Sequence, residues 1–417
     1  MKLKKLKYIN APWFEIKMFK NDFNFDEIID RRGTGSLKWD FLDRLFGSRD
    51  LLPLWVADMD FKAPPAIVDA LTRRAEHGIY GYTNFTQEYY ESVINWYKRR
   101  YHWEIRREWI VFSPGVVPAI SMAIRAFTNP GDRIIVQPPV YYPFFRSIEN
   151  NGRYTLENPL LLKSGRYEFD FEGLERKVKD PKVRMIIVCN PHNPVGRIWK
   201  KEELQLLGDI CIDNGVMVIA DEIHSDLRYP GVNFTNFASI SKKFAENSIT
   251  CTSASKTFNL AGLHSSNIII PNPIIRQNFQ NCVDSTSIST PNVFAEEATK
   301  AAYNECEDWL DELLDYIRGN KEFLKEFIKE NLPLVNLIEP EGTYLAWLDF
   351  RKLEPDPMKL QNVMLSEAKV ALDEGYIFGK GGEGFERINL ACPRPILKKG
   401  LNQIINAFKS YVPHDRP

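Results

Sequence analysis

The chain has no surplus of charge of either sign. Its 54 Lys and Arg stand against 55 Asp and Glu, a formal net charge of -1. That removes any global electrostatic case for nucleic acid or an anionic membrane surface as partner. Short basic pairs such as Arg73-Arg74 and Arg99-Arg100 read as solvated helix faces. Cysteine is scarce: six residues, at 189, 211, 251, 282, 306 and 392. No two have the close spacing of a zinc site or a redox pair, and the pattern suits free thiols in a reducing cytosol. Six equally scattered histidines give a metal site no support. No apolar run is long enough to span a bilayer, and there is no repeat or low-complexity linker. The N-terminal MKLKKLKYINAPWF is basic but lacks the apolar core and small-residue cleavage site of a secretory signal. Residues 1–20 read as a loose extension, and the sequence also allows a start at Met18.

What remains is a globular composition, with 44% hydrophobic and 12% aromatic residues in 417. That length exceeds what one core usually holds, so two domains are expected. Short apolar runs rich in Val and Ile recur: WIVF (109–112), RIIVQ (133–137), VRMIIVCN (183–190), VMVIAD (216–221), SITCTS (248–253) and SSNIIIP (265–271). Each suits a strand buried on both faces. Helical patterns lie between or before them, at Ala66–His77, Tyr89–Tyr101, Pro118–Phe127 and Lys201–Asn214. Strand–helix alternation predicts an α/β domain with a mostly parallel sheet. Beyond about residue 295 the rhythm changes. One long helical stretch, Phe294–Asn331, leads into LVNLIEPEGTYLAWLDF, a Gly-rich segment and ERINLAC. The expected division is a large α/β domain over 61–295 and a smaller α+β domain over 21–60 and 296–417.

In open α/β sheets, ligands bind outside the carboxyl ends of the strands, so those ends are where chemistry is sought. After WIVF comes a Pro-Gly turn and a helix start at Gly115-Val116, where backbone N–H groups can hold an anion. After RIIVQ, an aromatic cluster offers Tyr141 or Tyr142 to stack on a flat ligand, or simply to pack. After VRMIIVC, NPHNPVG puts the Asn193 amide in a turn, within reach of a ligand oxygen. After VMVIA, Asp221 follows a buried strand directly and needs a cationic partner, unless it only caps a helix. After SITCT, Lys256 stands among small and hydroxyl residues, where a lysine can lose its charge and become nucleophilic. Ser253 and Ser255 beside it offer hydroxyls to a phosphate.

An anion-binding turn, an aromatic platform, an amide, an acid and a lysine are together what pyridoxal 5′-phosphate requires. NPHNPVG, ADEIH and SASKTFNLAGL, in that order, resemble the fold-type I pyridoxal-phosphate enzymes of aminotransferase class I/II, from about Phe25 to Phe408. Within that family the chain is most similar to the MalY/PatB-type C–S lyases, or cystathionine β-lyases. Three passages carry this: LPLWVADMDF (52–61) followed by IYGYT (79–83), the His224 of DEIH, and FERINLACPRPILKKGL (385–401). The resemblance implies that Lys256 carries the cofactor as a Schiff base and later acts as the base at Cα. Asp221 would pair with the pyridinium nitrogen and Tyr141 stack on the ring. Asn193 would bond the ring hydroxylate with His224 nearby. Gly115, Val116, Ser253 and Ser255 would cradle the phosphate. Tyr82 would reach that phosphate from a second subunit, making a homodimer, and Arg387 would take the substrate α-carboxylate.

One position departs from the family pattern. Many members end the lysine motif in Gly-x-Arg, whose arginine binds phosphate, whereas this chain has Gly262-Leu263-His264. The implied activity is α,β-elimination from cystathionine or a related cysteine S-conjugate, giving a thiol, pyruvate and ammonia, in a cytoplasmic enzyme. An aminotransferase on the same scaffold is the alternative, and a lyase scaffold with a regulatory protein-binding role is a second. Trp55 and Asp58 either approach the leaving group or pack the small domain on the large one.

Overall fold

A computed structural model describes residues 23–410; the expected extension over 1–20 lies outside the described residues. The six apolar runs and one unanticipated edge strand, Tyr154–Glu157, form one central sheet: β1 (Ile110–Ser113), β2 (Arg133–Val136), β3 (Tyr154–Glu157), β4 (Val183–Cys189), β5 (Met217–Asp221), β6 (Ser248–Thr252) and β7 (Ser266–Ile269). The spatial order is β1-β7-β6-β5-β4-β2-β3. The pairs β2–β3, β2–β4, β4–β5 and β5–β6 are parallel. Only β7 runs against its neighbours β1 and β6. Strands β4 to β6 are almost wholly buried, which is why their sequences are continuously apolar rather than alternating.

Helices cover the sheet. Val116–Phe127 and Lys201–Asp213 fill the strand-to-strand connections expected of them. Gln87–Tyr101 and Pro65–Glu76 pack instead on Val293–Glu305. The long helical stretch anticipated over 294–331 is two helices, Val293–Glu305 and Glu307–Asn331, divided at Cys306. Cys306 leaves the helical region (φ -115°, ψ 20°), and Glu307 and Asp308 open the second helix, where acidic side chains suit the N-terminal dipole.

A second, antiparallel sheet holds β8 (Asn336–Ile338), β9 (Leu345–Asp349), β10 (Asp373–Glu374) and β11 (Phe385–Asn389), in the order β8-β9-β11-β10. Leu52–Pro53 pairs in parallel with Val370–Ala371, so the WVADMDF loop is laid beside this sheet. Asn389 fixes the loop by donating to the carbonyls of Val56 (2.7 Å) and Asp58 (2.6 Å). The Asp58 carboxylate meets Arg31 (2.6 Å) and Lys38 (3.7 Å). Among the described residues no helix is long and apolar enough to cross a membrane.

Candidate active site

Where β1, β2, β4, β5 and β6 end, their following turns enclose a cavity of about 380 Å³. Gly115, Val116, Tyr141, Asn193, Asp221, His224, Ser255 and Lys256 all face it, as does His264. Residues up to 149 positions apart in the sequence are thus collected because each follows a strand of one sheet.

Lys256 sits on the short helix Ala254–Thr257 that follows β6. Its Nζ donates to the Ala57 carbonyl at 2.6 Å, and the Tyr344 hydroxyl donates to the same oxygen at 3.0 Å. Burial in the cavity wall lowers the lysine pKa to about 8; the Arg387 charge adds to the fall, while Asp58 and Asp221 oppose it. An amine near 8 is still mostly protonated at physiological pH, but its neutral minority is far larger than an ordinary lysine's and can take a proton. The helix is anchored from behind. Thr257 Oγ1 donates to the Asp226 carboxylate (2.9 Å), which also accepts from Trp96 Nε1 (3.1 Å) and the Tyr101 hydroxyl.

Asp221 ends β5, flanked in the sheet register by Cys189 on β4 and Cys251 on β6. The Ile223 N–H donates to its carboxylate at 3.2 Å. Burial pushes its pKa up to about 7, against the pull of that bond and of Lys256. A carboxylate so placed gains from a cation delivered by a ligand. His224 is buried, with Nδ1 unpartnered and its ring 5.9 Å from that of Tyr344 at 76°. Burial holds its pKa well below the usual range, reinforced by Lys256 and Arg387, so the imidazole is neutral. Tyr141 is braced edge-on by Phe144, centroids 5.7 Å apart.

Three of the anticipated residues do not face this cavity. Ser253 caps the lysine helix, accepting from the Ser255 N–H (3.0 Å) and donating to the Ser265 carbonyl (2.6 Å). Arg387 lies behind Asn193, whose Oδ1 accepts from Nη1 at 2.9 Å. Tyr82 is fully exposed on a segment without regular structure. Of the signature residues, Asp58 is engaged by Arg31 and Lys38. Trp55 packs edge-on against Phe46, centroids 5.3 Å apart, and presents its carbonyl to Arg387 at 3.1 Å.

The sequence reading did not single out Tyr344, Asp226, Cys189 or the Ala57 carbonyl. Cys189 was signalled only by its place at the end of a buried strand. The others join the site through contacts across 31 to 287 positions, which no local pattern reports.

The donor set fits pyridoxal phosphate. Among the described residues no side chain forms an ion pair with the buried Asp221 carboxylate, and a pyridinium nitrogen would supply that partner. The lysine amine suits an aldehyde, and Tyr141 offers a ring face. The N-terminus of Val116–Phe127 turns its free N–H groups to an anion. A Cβ on Gly115 would come within 3.2 Å of Pro118 Cδ, so this turn is closely packed. Among the described residues no cluster of His, Cys, Asp and Glu could hold a metal ion.

Comparison with known proteins agrees with this chemistry. The family model described as aminotransferase class I and II matches residues 49–404. The chain is 49% identical over 381 residues to cystathionine beta-lyase PatB of Bacillus subtilis, covering 91% of this chain and 98% of that protein. It is 33% identical over 393 residues to protein MalY of Escherichia coli, covering 93% and 99%. The crystal structure of cystalysin from Treponema denticola, which contains pyridoxal 5′-phosphate, superposes with a TM-score of 0.90 at 43% identity, covering 93% and 99%.

Proposed function

The chain belongs to the aminotransferase class I and II family, and from that membership we propose its activity and the part each residue plays. It is a pyridoxal-phosphate-dependent carbon–sulfur lyase of the cystathionine β-lyase type, with the fold-type I architecture. It acts on a small amino-acid substrate and breaks the bond between Cβ and sulfur, as in cystathionine and related cysteine S-conjugates. The products are a thiol, pyruvate and ammonia. The cofactor chemistry rests on Lys256 and the buried Asp221 lining one cavity, and the lyase reading rests on the 49% identity to cystathionine beta-lyase PatB.

The bound cofactor supplies an electron sink for the pair left behind when the Cα proton departs. Lys256 would tether the cofactor through its amine and, when that amine is free, would take the Cα proton on Nζ. The same Nζ then returns a proton to the departing sulfur. Ala57 and Tyr344 hold that amine at a fixed place between the two transfers. Asp221, ionised once a cation lies opposite, keeps a proton on the ring nitrogen. Tyr141 would support the ring face, and Asn193 would donate to the ring oxygen with neutral His224 beside it. Gly115 and Val116 from the turn after β1, and Ser255 from the turn after β6, would take the phosphate, with Ser253 fixing the second of these turns. Arg387 receives the substrate carboxylate, a task suited to a planar fork of N–H donors.

The full exposure of the Tyr82 ring, near half-exposed Tyr80 and Ile79, supports a homodimer in which Tyr82 completes the partner's phosphate site. The division into a cofactor-binding part over 61–295 and a smaller part over 21–60 and 296–417 that closes on it belongs to the same proposal. So does a cytoplasmic location, which free cysteines at all six positions suit.

The test is to incubate the holoenzyme with cystathionine alone, then with an amino acid plus 2-oxoglutarate. Thiol and pyruvate released without a keto-acid acceptor support the lyase. Glutamate formed in the second mixture, with no thiol in the first, makes it an aminotransferase.

A further inference from the structure

Arg387 is already occupied. Its Nη1 donates to Asn193, and its Nη2 donates both to the Trp55 carbonyl at 3.1 Å and to the Asp373 carboxylate. The register of the small sheet puts the two side chains side by side, because Asp373 on β10 stands directly opposite Arg387 on β11. Both side chains are buried. The strand carrying Asp373 runs into a turn packed so closely that a Cβ on Gly375 would lie 2.0 Å from the Gly382 carbonyl oxygen.

A guanidinium has five N–H groups and grips a carboxylate bidentately in two ways, end-on through both Nη atoms or side-on through Nε and Nη2. Both use an Nη2 hydrogen, and both Nη2 hydrogens are taken. The side-on fork would also satisfy Nε, which is buried without a partner. One of the two present acceptors must therefore give way. The Trp55 carbonyl belongs to a loop tied down by Asn389 on its C-terminal side and by strand pairing on its N-terminal side. The Asp373 carboxylate can move by side-chain rotation alone. It also borders a second cavity, of about 560 Å³, walled by Trp55, Tyr142, Arg146, Glu149, Glu157 and Glu374. There is room to receive it.

We propose that Asp373 is the chain's own stand-in for the substrate carboxylate, holding Arg387 until substrate takes over the same guanidinium hydrogens. This rests on the reading of Arg387 as the carboxylate site. Asp373 then sets substrate affinity by competition, and its release toward the second cavity accompanies substrate entry. Asn193 and Trp55 keep the guanidinium in place during the exchange.

The experiment is calorimetric titration of the holoenzyme with L-alanine, which has the α-carboxylate but no leaving group. Asp373→Asn replaces a charged acceptor by a neutral one of the same shape, so the grip on Nη2 falls by about half. L-alanine should bind roughly five- to tenfold more tightly than to wild type. Weaker or unchanged binding overturns the proposal and makes Asp373 a residue that positions Arg387. Arg387→Lys separates the premise: if it leaves L-alanine affinity unchanged, Arg387 is not the carboxylate site. Should Asp373→Asn fail to fold, a crystal structure of the wild-type L-alanine complex decides. Asp373 turned into the second cavity supports the exchange; Asp373 still on Nη2 beside a bound carboxylate refutes it.

Discussion

At the inner end of the cavity Asp221, Asn193 and His224 are buried, and each is placed by the end of a strand in the central sheet or the turn that follows it. At the outer end Gly115, Ser255 and His264 are partly or well exposed; Tyr82, which does not face the cavity, stands free in solvent. The inner end works by desolvation: burial raises the acid, lowers the amine and holds the imidazole neutral. The outer end works by backbone N–H groups and hydroxyls, whose polarity needs no burial. Substitutions at the inner end should therefore abolish chemistry. Those at the outer end should loosen the cofactor and leave the bound enzyme active.

The largest effect expected is from Lys256→Ala. Thiol release from cystathionine should fall by roughly a thousandfold or more, since tether and proton carrier are both lost. The visible absorbance of the tethered cofactor should vanish as well. A variant that remained yellow through another lysine would show that the inner end had been assigned wrongly.

Asp221→Asn should follow, with a loss of about a hundredfold or more in kcat, because a neutral amide cannot hold the ring nitrogen protonated. The same change should have the opposite sign on the cofactor-free protein. The folded-state pKa of Asp221, about 7, lies above its ordinary value of 3.8. Between those values the folded chain binds a proton that the unfolded chain does not, so stability declines as pH rises through that window. Above about pH 7 the whole cost is present, on the order of a few kcal/mol. Cofactor-free Asp221→Asn should then melt several degrees above wild type at pH 8 and about equally at pH 4, as read by calorimetry. Equal melting at both would mean that the inner end is wetter than its walls suggest.

Tyr82→Phe is the sharper test of the outer end. If Tyr82 reaches a partner's phosphate, losing its hydroxyl should weaken cofactor retention about tenfold by dialysis, the worth of one hydrogen bond to a charged group. The kcat at saturating cofactor should stay within about a factor of two or three. An unchanged dissociation constant would leave the outer end complete within one chain.

The same contrast explains what the sequence could tell. Strands β4 to β6 were legible because a strand buried on both faces must be continuously apolar, and Asp221 and Lys256 stood out as charges just past such runs. Tyr344 and Asp226 gave no such sign: a tyrosine just before a strand and an acid in a turn are ordinary until folding brings them to Ala57 and Thr257. The pairing of Asp373 with Arg387 was equally hidden, because register between β10 and β11 depends on the Gly-rich turn joining them. The division at Cys306 escaped because both flanking segments are strong helix formers, and no Gly or Pro marks the break.

The smallest effects divide two neighbouring hydroxyls. Ser255 faces the cavity, whereas Ser253 spends its hydroxyl on the Ser255 N–H and the Ser265 carbonyl. Ser255→Ala should weaken cofactor binding severalfold and leave the melting temperature of the cofactor-free protein unchanged. Ser253→Ala removes a helix cap, worth about 1 kcal/mol, so it should lower that melting temperature by about a degree. Its effect on affinity should be the smaller of the two. If the two variants exchange these signatures, the hydroxyl that caps the lysine helix is also the one that holds the phosphate, and the outer end is tied to the inner one through Ser253 rather than standing apart from it.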